Sequence, residues 1–286
     1  MLTWILSAAM VIVLLFPFLA GKHFFQNKVM PHTTSPSELG IQYEEVMIPT
    51  KNKKQLYGWW MEKEGVGTRP VIIIVHGWGR NADRSLPYLE IFKDSNYHLM
   101  AFDARHHGSS DPDDFSSMIK FAEDIGSVIQ WLDQKPTVQS QNLGLIGLSI
   151  GGSGSLYASA LHDNVKAVAT VGAFSDPEDL IQGEFKRRHF PQPIPWLVVR
   201  YFELVSKIRI KDVAPVNNMG KIKGNVFLIH GTKDRTIPFS EMKILEKASN
   251  PERLQTWSVE DYGHSDCHEH PDFARKVKKF FKEALG

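Results

Sequence analysis

Cysteine is nearly missing from this chain: its 286 residues include one, Cys267. A single thiol excludes an internal disulfide framework and a cysteine zinc cluster. Net charge is nearly missing too, because 33 Lys and Arg stand against 32 Asp and Glu, a formal +1. So weak an overall field argues against nucleic acid as the main partner. No segment repeats at a fixed period, so a solenoid is not expected. What is present is a 42% hydrophobic composition, enough for one large α/β domain with a sizeable core.

The N-terminus is defined by a further absence. Leu2 to Ala20 is apolar except for Thr3 and Ser7, and no Lys or Arg precedes it. The run is long enough to span a bilayer, and Trp4 sits where an interfacial anchor would. A cleaved signal peptide would carry a basic start and a small residue where Phe18 stands. The expectation is therefore an uncleaved N-terminal transmembrane helix, with membrane contact through residues 2–20. Lys22 and Lys28 follow the run closely, and the positive-inside rule then favours a cytoplasmic catalytic domain. The expected organisation is an anchor over residues 1–21, a linker with little structure of its own over 22–40, and a catalytic domain over 41–286.

Within that domain, strand-like and helix-like patterns alternate. Tyr43 to Ile48 and Leu56 to Glu62 read as two strands around a Pro-Thr-Lys-Asn turn. Val71 to Val75 is a β-branched run suited to a strand buried on both faces. Tyr97 to Phe102, Leu143 to Leu148, Val165 to Val171, Asn225 to Ile229 and Leu254 to Val259 read as further strands. Helical spacing marks Arg84 to Asp94, Phe115 to Leu132, the stretch after Ser149, Ser240 to Ala248 and Asp272 to Leu285. Such alternation implies a mostly parallel sheet with helices on both faces. The pattern breaks over residues 173–220, which carry a basic cluster (Lys186, Arg187, Arg188), a proline-rich piece and the apolar run Trp196 to Val205. This stretch reads as an inserted cap shaping an apolar pocket, and its basic cluster would suit anionic lipid.

Gly147-Leu-Ser149-Ile-Gly151 closes the strand that begins at Leu143. Gly-x-Ser-x-Gly between a strand and a helix is a nucleophile elbow, a strained tip that exposes the serine hydroxyl. A serine needs a base, and the base needs an orienting carboxylate. Asp234 and His264 each follow an expected strand, in the chain order Ser149, Asp234, His264. Asp261 and Asp266 compete for the acid role but lie beside the base in sequence. His268 and His270 compete for the base but stand at the start of the last helix. His76 and His230, each before a glycine, read as structural. The His76-Gly77-Trp78-Gly79 turn follows a buried strand, so the backbone N–H of Trp78, with that of Ile150, suits an oxyanion hole. The crowd of His264, Asp266, Cys267, His268 and His270 raises zinc as an alternative, but it lacks the helical His-Glu-x-x-His spacing.

These motifs, with Asp103 to Ser110 and His230 to Asp234, make the chain from Ile41 onward resemble the α/β-hydrolase superfamily. It looks most like the superfamily's membrane-anchored, acylaminoacyl-peptidase-like esterases. The resemblance implies a serine hydrolase acting on a small-molecule or lipid-like acyl ester, with no cofactor and no metal. An acyl-peptide hydrolase and a silent membrane-tethered binding module are the alternatives. The oligomeric state is unread. His106 departs from the resemblance, since many members place glycine at that point of the Asp-x-Arg turn.

Overall fold

Five β-branched residues in succession, Val71 to Val75, leave a strand no polar face. In the computed structural model, which describes residues 27–286, β3 (Arg69–Val75) therefore serves two cores at once. Val71, Ile73 and Val75 enter one, and Ile72 and Ile74 enter the other, as the period of two in a strand requires.

Around β3 the sheet has eight strands. They are β1 (Glu44–Thr50), β2 (Lys54–Met61), β4 (His98–Phe102), β5 (Val138–Leu148), β6 (Val165–Val171), β7 (Asn225–Gly231) and β8 (Leu254–Val259), besides β3 itself. Their order across the sheet is β1-β2-β4-β3-β5-β6-β7-β8. β1 pairs antiparallel with β2, and β2 with β4, while the remaining pairings are parallel. From β3 the chain steps to β4 on one side and to β5 on the other. That reversal opens a crevice at the carboxyl ends of β3 and β5, where ligands bind in such sheets.

Helices cover both faces. α1 (Leu86–Phe92) and α9 (Phe273–Leu285) pack on one face, α9 through Phe273, Val277, Phe280 and Phe281. On the other lie α2 (Met118–Leu132), α3 (Ile150–Leu161) and α8 (Ser240–Ala248). α2 begins later than the apolar spacing suggests, because the Ser117 side chain caps it by accepting the Lys120 amide at 3.3 Å. Between β6 and β7 the cap consists of α4 (Pro177–Arg187), α5 (Pro193–Ser206) and two single turns, α6 (Ile210–Val213) and α7 (Pro215–Asn218). Asp176 caps α4, and Pro177 takes its first position, where proline's missing N–H costs nothing.

The expected anchor, Leu2 to Ala20, lies outside the described residues. Among the described residues no helix is long and apolar enough to cross a membrane. Residues 27–40 hold more structure than a linker reading anticipates. Pro36–Leu39 forms a 3-10 turn, and Asn81 donates to the carbonyls of Met30 and Pro31 at 3.1 Å each. His32 reaches Asp83 Oδ1 at 2.5 Å and Asp103 Oδ2 at 2.7 Å, one from each ring nitrogen. Asp83 lies in a 3-10 turn, Ala82–Ser85, and Asp103 just past β4, both far from His32 in sequence, so local sequence gave no sign that His32 would meet them.

Candidate active site

β5 delivers Ser149 in a conformation that few non-glycine residues adopt, with φ 54° and ψ −122°. The surroundings impose it. The Ser149 amide donates to the Val171 carbonyl at 2.8 Å, and Ser153 N returns to Ser149 O at 3.0 Å. A Cβ on Gly147 would run into the Gly151 carbonyl, and one on Gly151 into the His76 carbonyl. Both motif glycines are thus demanded by close backbone approach, and the strain at Ser149 is of the kind that clusters at reactive sites.

The acid and the base converge on the same edge of the sheet. His264 Nδ1 lies 2.7 Å from Asp234 Oδ2. Gly172, just past β6, sits against the pair: a Cβ there would stand 3.0 Å from His264 Nδ1 and 3.3 Å from Asp234 Oδ2. Its neighbour Val171 is the residue that holds the Ser149 amide. The serine turn and the Asp–His pair therefore meet across two consecutive residues at the end of β6.

Asp234 is deeply tied. Its Oδ1 accepts the amides of Thr236 at 2.8 Å and Ile237 at 2.9 Å. His230 Nε2 approaches Oδ2 at 3.2 Å and the Ile237 carbonyl at 3.0 Å. With two acceptors near it, that nitrogen carries the proton. Burial by itself would raise the Asp234 pKa. Hydrogen bonds from His230 and His264 and the Ile237 amide outweigh it and hold the carboxyl well below its ordinary value. An ionised carboxylate on Nδ1 leaves His264 Nε2 as the nitrogen for exchange with a substrate.

The loop after β3 supports the opposite side. His76 Nε2 accepts the Ala104 amide at 3.0 Å, so Nδ1 carries the proton that it donates to the Gly77 carbonyl at 2.7 Å. Burial lowers the His76 pKa and keeps the ring neutral. The Gly77 carbonyl and the Trp78 N–H belong to one planar peptide, so anchoring the first fixes the direction of the second. Gly77 packs on the elbow, where a Cβ would lie 3.5 Å from Ser149 Cβ. Ile150 opens α3, and the first amides of a helix have no acceptor within it.

Trp78, Ser149 and Ile150 line one cavity of about 440 Å³, whose other walls include Met118, Phe202 and Ile237. Glu184, Arg187 and Arg188 of the cap also line it, with Arg188 Nε 2.7 Å from Glu184. Another cavity, about 560 Å³, lies between Leu39–Gln42, Met61–Glu64 and Lys93–Asp94, away from Ser149.

The rival residues are occupied elsewhere. Asp261 pairs with Lys233 at 2.8 Å, and Asp266 accepts the Gly263 amide at 2.7 Å. His268 stacks on Tyr88, and His270 packs on Trp257 and Tyr262. Cys267 is buried, which pushes its thiol up to about 12. The sequence reading assigned His76 and His230 only a structural place beside their glycines. His76 meets the next residue's carbonyl and His230 meets Asp234 four residues on, but the Ala104 amide that fixes the His76 tautomer comes from the loop after β4, and no local motif signals it. His106 takes a positive φ of 66°, which is the reason glycine suits that position.

Residues 67–211 match the family model of the serine aminopeptidases S33. The chain belongs to this family. It is thereby a member of the α/β-hydrolase superfamily. A 31.7 kDa Escherichia coli protein from the traX-finO intergenic region is 32% identical over 123 residues, 42% of this chain. The match spans only 43% of that relative's length. YqkD of Bacillus subtilis is 25% identical over 218 residues, covering 74% of this chain and 71% of its own. Among solved structures, an esterase of Pyrococcus furiosus superposes with a TM-score of 0.74 at 22% identity. It covers 91% of this chain and 100% of its own, and shares the fold.

Proposed function

We propose that this chain is a serine hydrolase that cleaves a carboxylic ester through an acyl-serine intermediate. The observation that carries the reading is the strained Ser149 beside an apolar cavity, with the Asp234–His264 pair at the same sheet edge. Ser149 Oγ attacks the acyl carbonyl while His264 Nε2 takes its proton. The amides of Trp78 and Ile150 stabilise the oxyanion. The imidazolium, steadied by Asp234, then protonates the departing alkoxide. Water attacks the acyl-enzyme with His264 again as base, releasing the acid and restoring Ser149. The chain's own groups supply every step.

Peptide hydrolysis is the second reading, favoured by the family match. An aminopeptidase must hold a free ammonium near the scissile bond. Glu184 is the carboxylate among the residues lining the cavity, and Arg187 and Arg188 already neutralise it. That supports an ester without a free amine. Residues 2–20 are proposed as the membrane tether, with Lys22 and Lys28 favouring a cytoplasmic domain. Protease added to intact cells should then spare the domain, and digestion without lysis reverses the topology. The decisive assay sets p-nitrophenyl esters of rising acyl length against an aminoacyl p-nitroanilide. Turnover of the anilide with neglect of every ester would overturn the ester assignment.

A further inference from the structure

α5 is apolar on nearly every side, reading Pro-Ile-Pro-Trp-Leu-Val-Val-Arg-Tyr-Phe-Glu-Leu-Val-Ser. A water-exposed helix should show one apolar stripe only. The inner stripe here is spent on the core, through Pro195, Val198, Val199 and Phe202. The outer side is apolar as well. Trp196 is 54% exposed, Leu204 76% and Val205 52%. Arg200, placed between Trp196 and Leu204 by the four-residue helical step, is neutralised by Glu178 at 2.8 Å and Glu203 at 2.9 Å. Large apolar side chains gathered on one exposed element mark a contact surface.

Charge tells what that surface meets. Residues 186–211 hold seven Lys and Arg (Lys186, Arg187, Arg188, Arg200, Lys207, Arg209, Lys211) and one acid, Glu203. Over the whole cap, residues 173–220, six acids stand against these seven bases. Arg187 and Arg188 pair with Glu184, and Arg200 with Glu178 and Glu203, so the positive charge that remains is local to Lys186, Lys207, Arg209 and Lys211. Lys186, Lys207, Arg209 and Lys211 are all exposed. They flank α5 at both ends, and a helix of its length spans roughly 20 Å. Apolar side chains ringed by cations fit an interface of acyl chains beneath anionic headgroups. An acidic protein partner would satisfy the cations but give exposed Trp196, Leu204 and Val205 no matching apolar layer.

We propose that the outer face of α5 and the flanking Lys186–Arg188 and Lys207–Lys211 segments dock the cap on an anionic bilayer surface. Arg187 and Arg188 also line the cavity that holds Ser149 and are themselves more than half exposed, so docking brings that wall of the cavity to the lipid. The surface is distinct from residues 2–20 and does not depend on the hydrolase reading. Its consequence does rest on that reading: an ester dissolved in the membrane can enter without crossing water.

The test uses the full chain with Trp196→Cys carrying an environment-sensitive dye, since native Cys267 is buried. The protein is reconstituted in vesicles of phosphatidylcholine alone and of phosphatidylcholine mixed with phosphatidylglycerol. The dye should be quenched by nitroxide-labelled lipid several-fold more strongly in the anionic vesicles. The pair Lys186→Glu and Arg209→Glu should reduce that quenching to the phosphatidylcholine level. Equal quenching in both lipids, or none in either, overturns the proposal. A dye shielded from both lipid nitroxide and an aqueous quencher also overturns it, and assigns the face to residues 2–20 or to a second copy. Separately, Trp196→Ser with Leu204→Ser should slow hydrolysis of a vesicle-borne long-chain ester several-fold and leave p-nitrophenyl butyrate unchanged. If the wild-type chain cleaves neither ester, the hydrolase reading fails while the quenching result still decides the surface.

Discussion

At the residue scale, catalytic competence turns on how few groups share the load. Ser149 supplies the attacking oxygen, so Ser149→Ala should abolish labelling by a fluorophosphonate probe and cost several orders of magnitude in rate. Labelling that persists in the alanine variant would show another nucleophile. His230 acts one step back, through Asp234. Hydrogen bonds to charged groups contribute roughly 1.5–3 kcal/mol. His230→Ala should therefore lower kcat roughly ten- to hundredfold with KM nearly unchanged, well short of the ~10⁴-fold expected for Asp234→Asn. His268→Ala and His270→Ala, whose rings pack on Tyr88 and on Trp257 with Tyr262, should keep most of the activity. A large kcat loss in either would mean that the base has been misassigned. Sequence alone marked Ser149 because everything the elbow needs lies within five residues. It left Asp234, Asp261 and Asp266 in competition, because only the meeting of the loops after β7 and β8 selects among them.

At the element scale, two loops are held by buried charge. Arg105 is fully buried and donates from Nε to Asp124 at 2.6 Å, from its amide to the same carboxylate at 2.8 Å, and to Asp113 at 3.2 Å. It ties the turn after β4 to α2. Burial raises the Asp124 pKa to about 6 even against that guanidinium. Removing one partner of a buried pair costs about 3–5 kcal/mol, so Arg105→Ala should lose most of that in urea unfolding. A loss under about 1 kcal/mol would show the pair to behave like a surface one. The second tie is His32. Burial pulls its pKa down, but hydrogen bonds and charges from Asp103 and Asp83 outweigh it and raise it. Tyr57 and Trp59 pack beside the ring in tilted geometry, at 5.1 and 5.2 Å between centroids. A raised folded pKa gives stability that is fully present below about 6.5 and is lost as pH rises through the folded value. The Thr33 amide, which donates to Asp83 at 2.8 Å, should exchange faster above that range, and His32→Ala should abolish the pH dependence. Exchange indifferent to pH in the wild type would refute the tie.

For the whole molecule, histidines set the acid limit. Burial lowers the pKa of His76, His98, His162 and His268, and takes His107 down to about 3. Each binds a proton more readily when unfolded, so unfolding gains protons as pH falls below about 6.5, and stability falls with it. His32 and Asp124, whose folded pKa values are raised, work the other way, but five groups outnumber two. Urea midpoints should drop from pH 7 to pH 5, a range in which Asp124 takes up its proton while ordinary exposed carboxylates stay mostly ionised. A flat profile would mean that these rings are protonated in the folded state too.

What the sequence determined by itself was everything carried by near neighbours. The β-branched run at Val71 to Val75, the alternation of strands and helices, the elbow glycines and the inserted cap are all short-range consequences of sterics and apolar spacing. His106 stood out only through the family resemblance, which places glycine there, and its positive φ came with the structure. The tertiary structure decided what depends on strands far apart in sequence meeting at one edge. It placed His264 on Asp234 and not on its sequence neighbours, brought the Ala104 amide to His76 Nε2, and docked residues 27–40 through His32. It also decided which side of α5 is buried, since a helix apolar all round carries no mark of its inner face until the core it packs against exists.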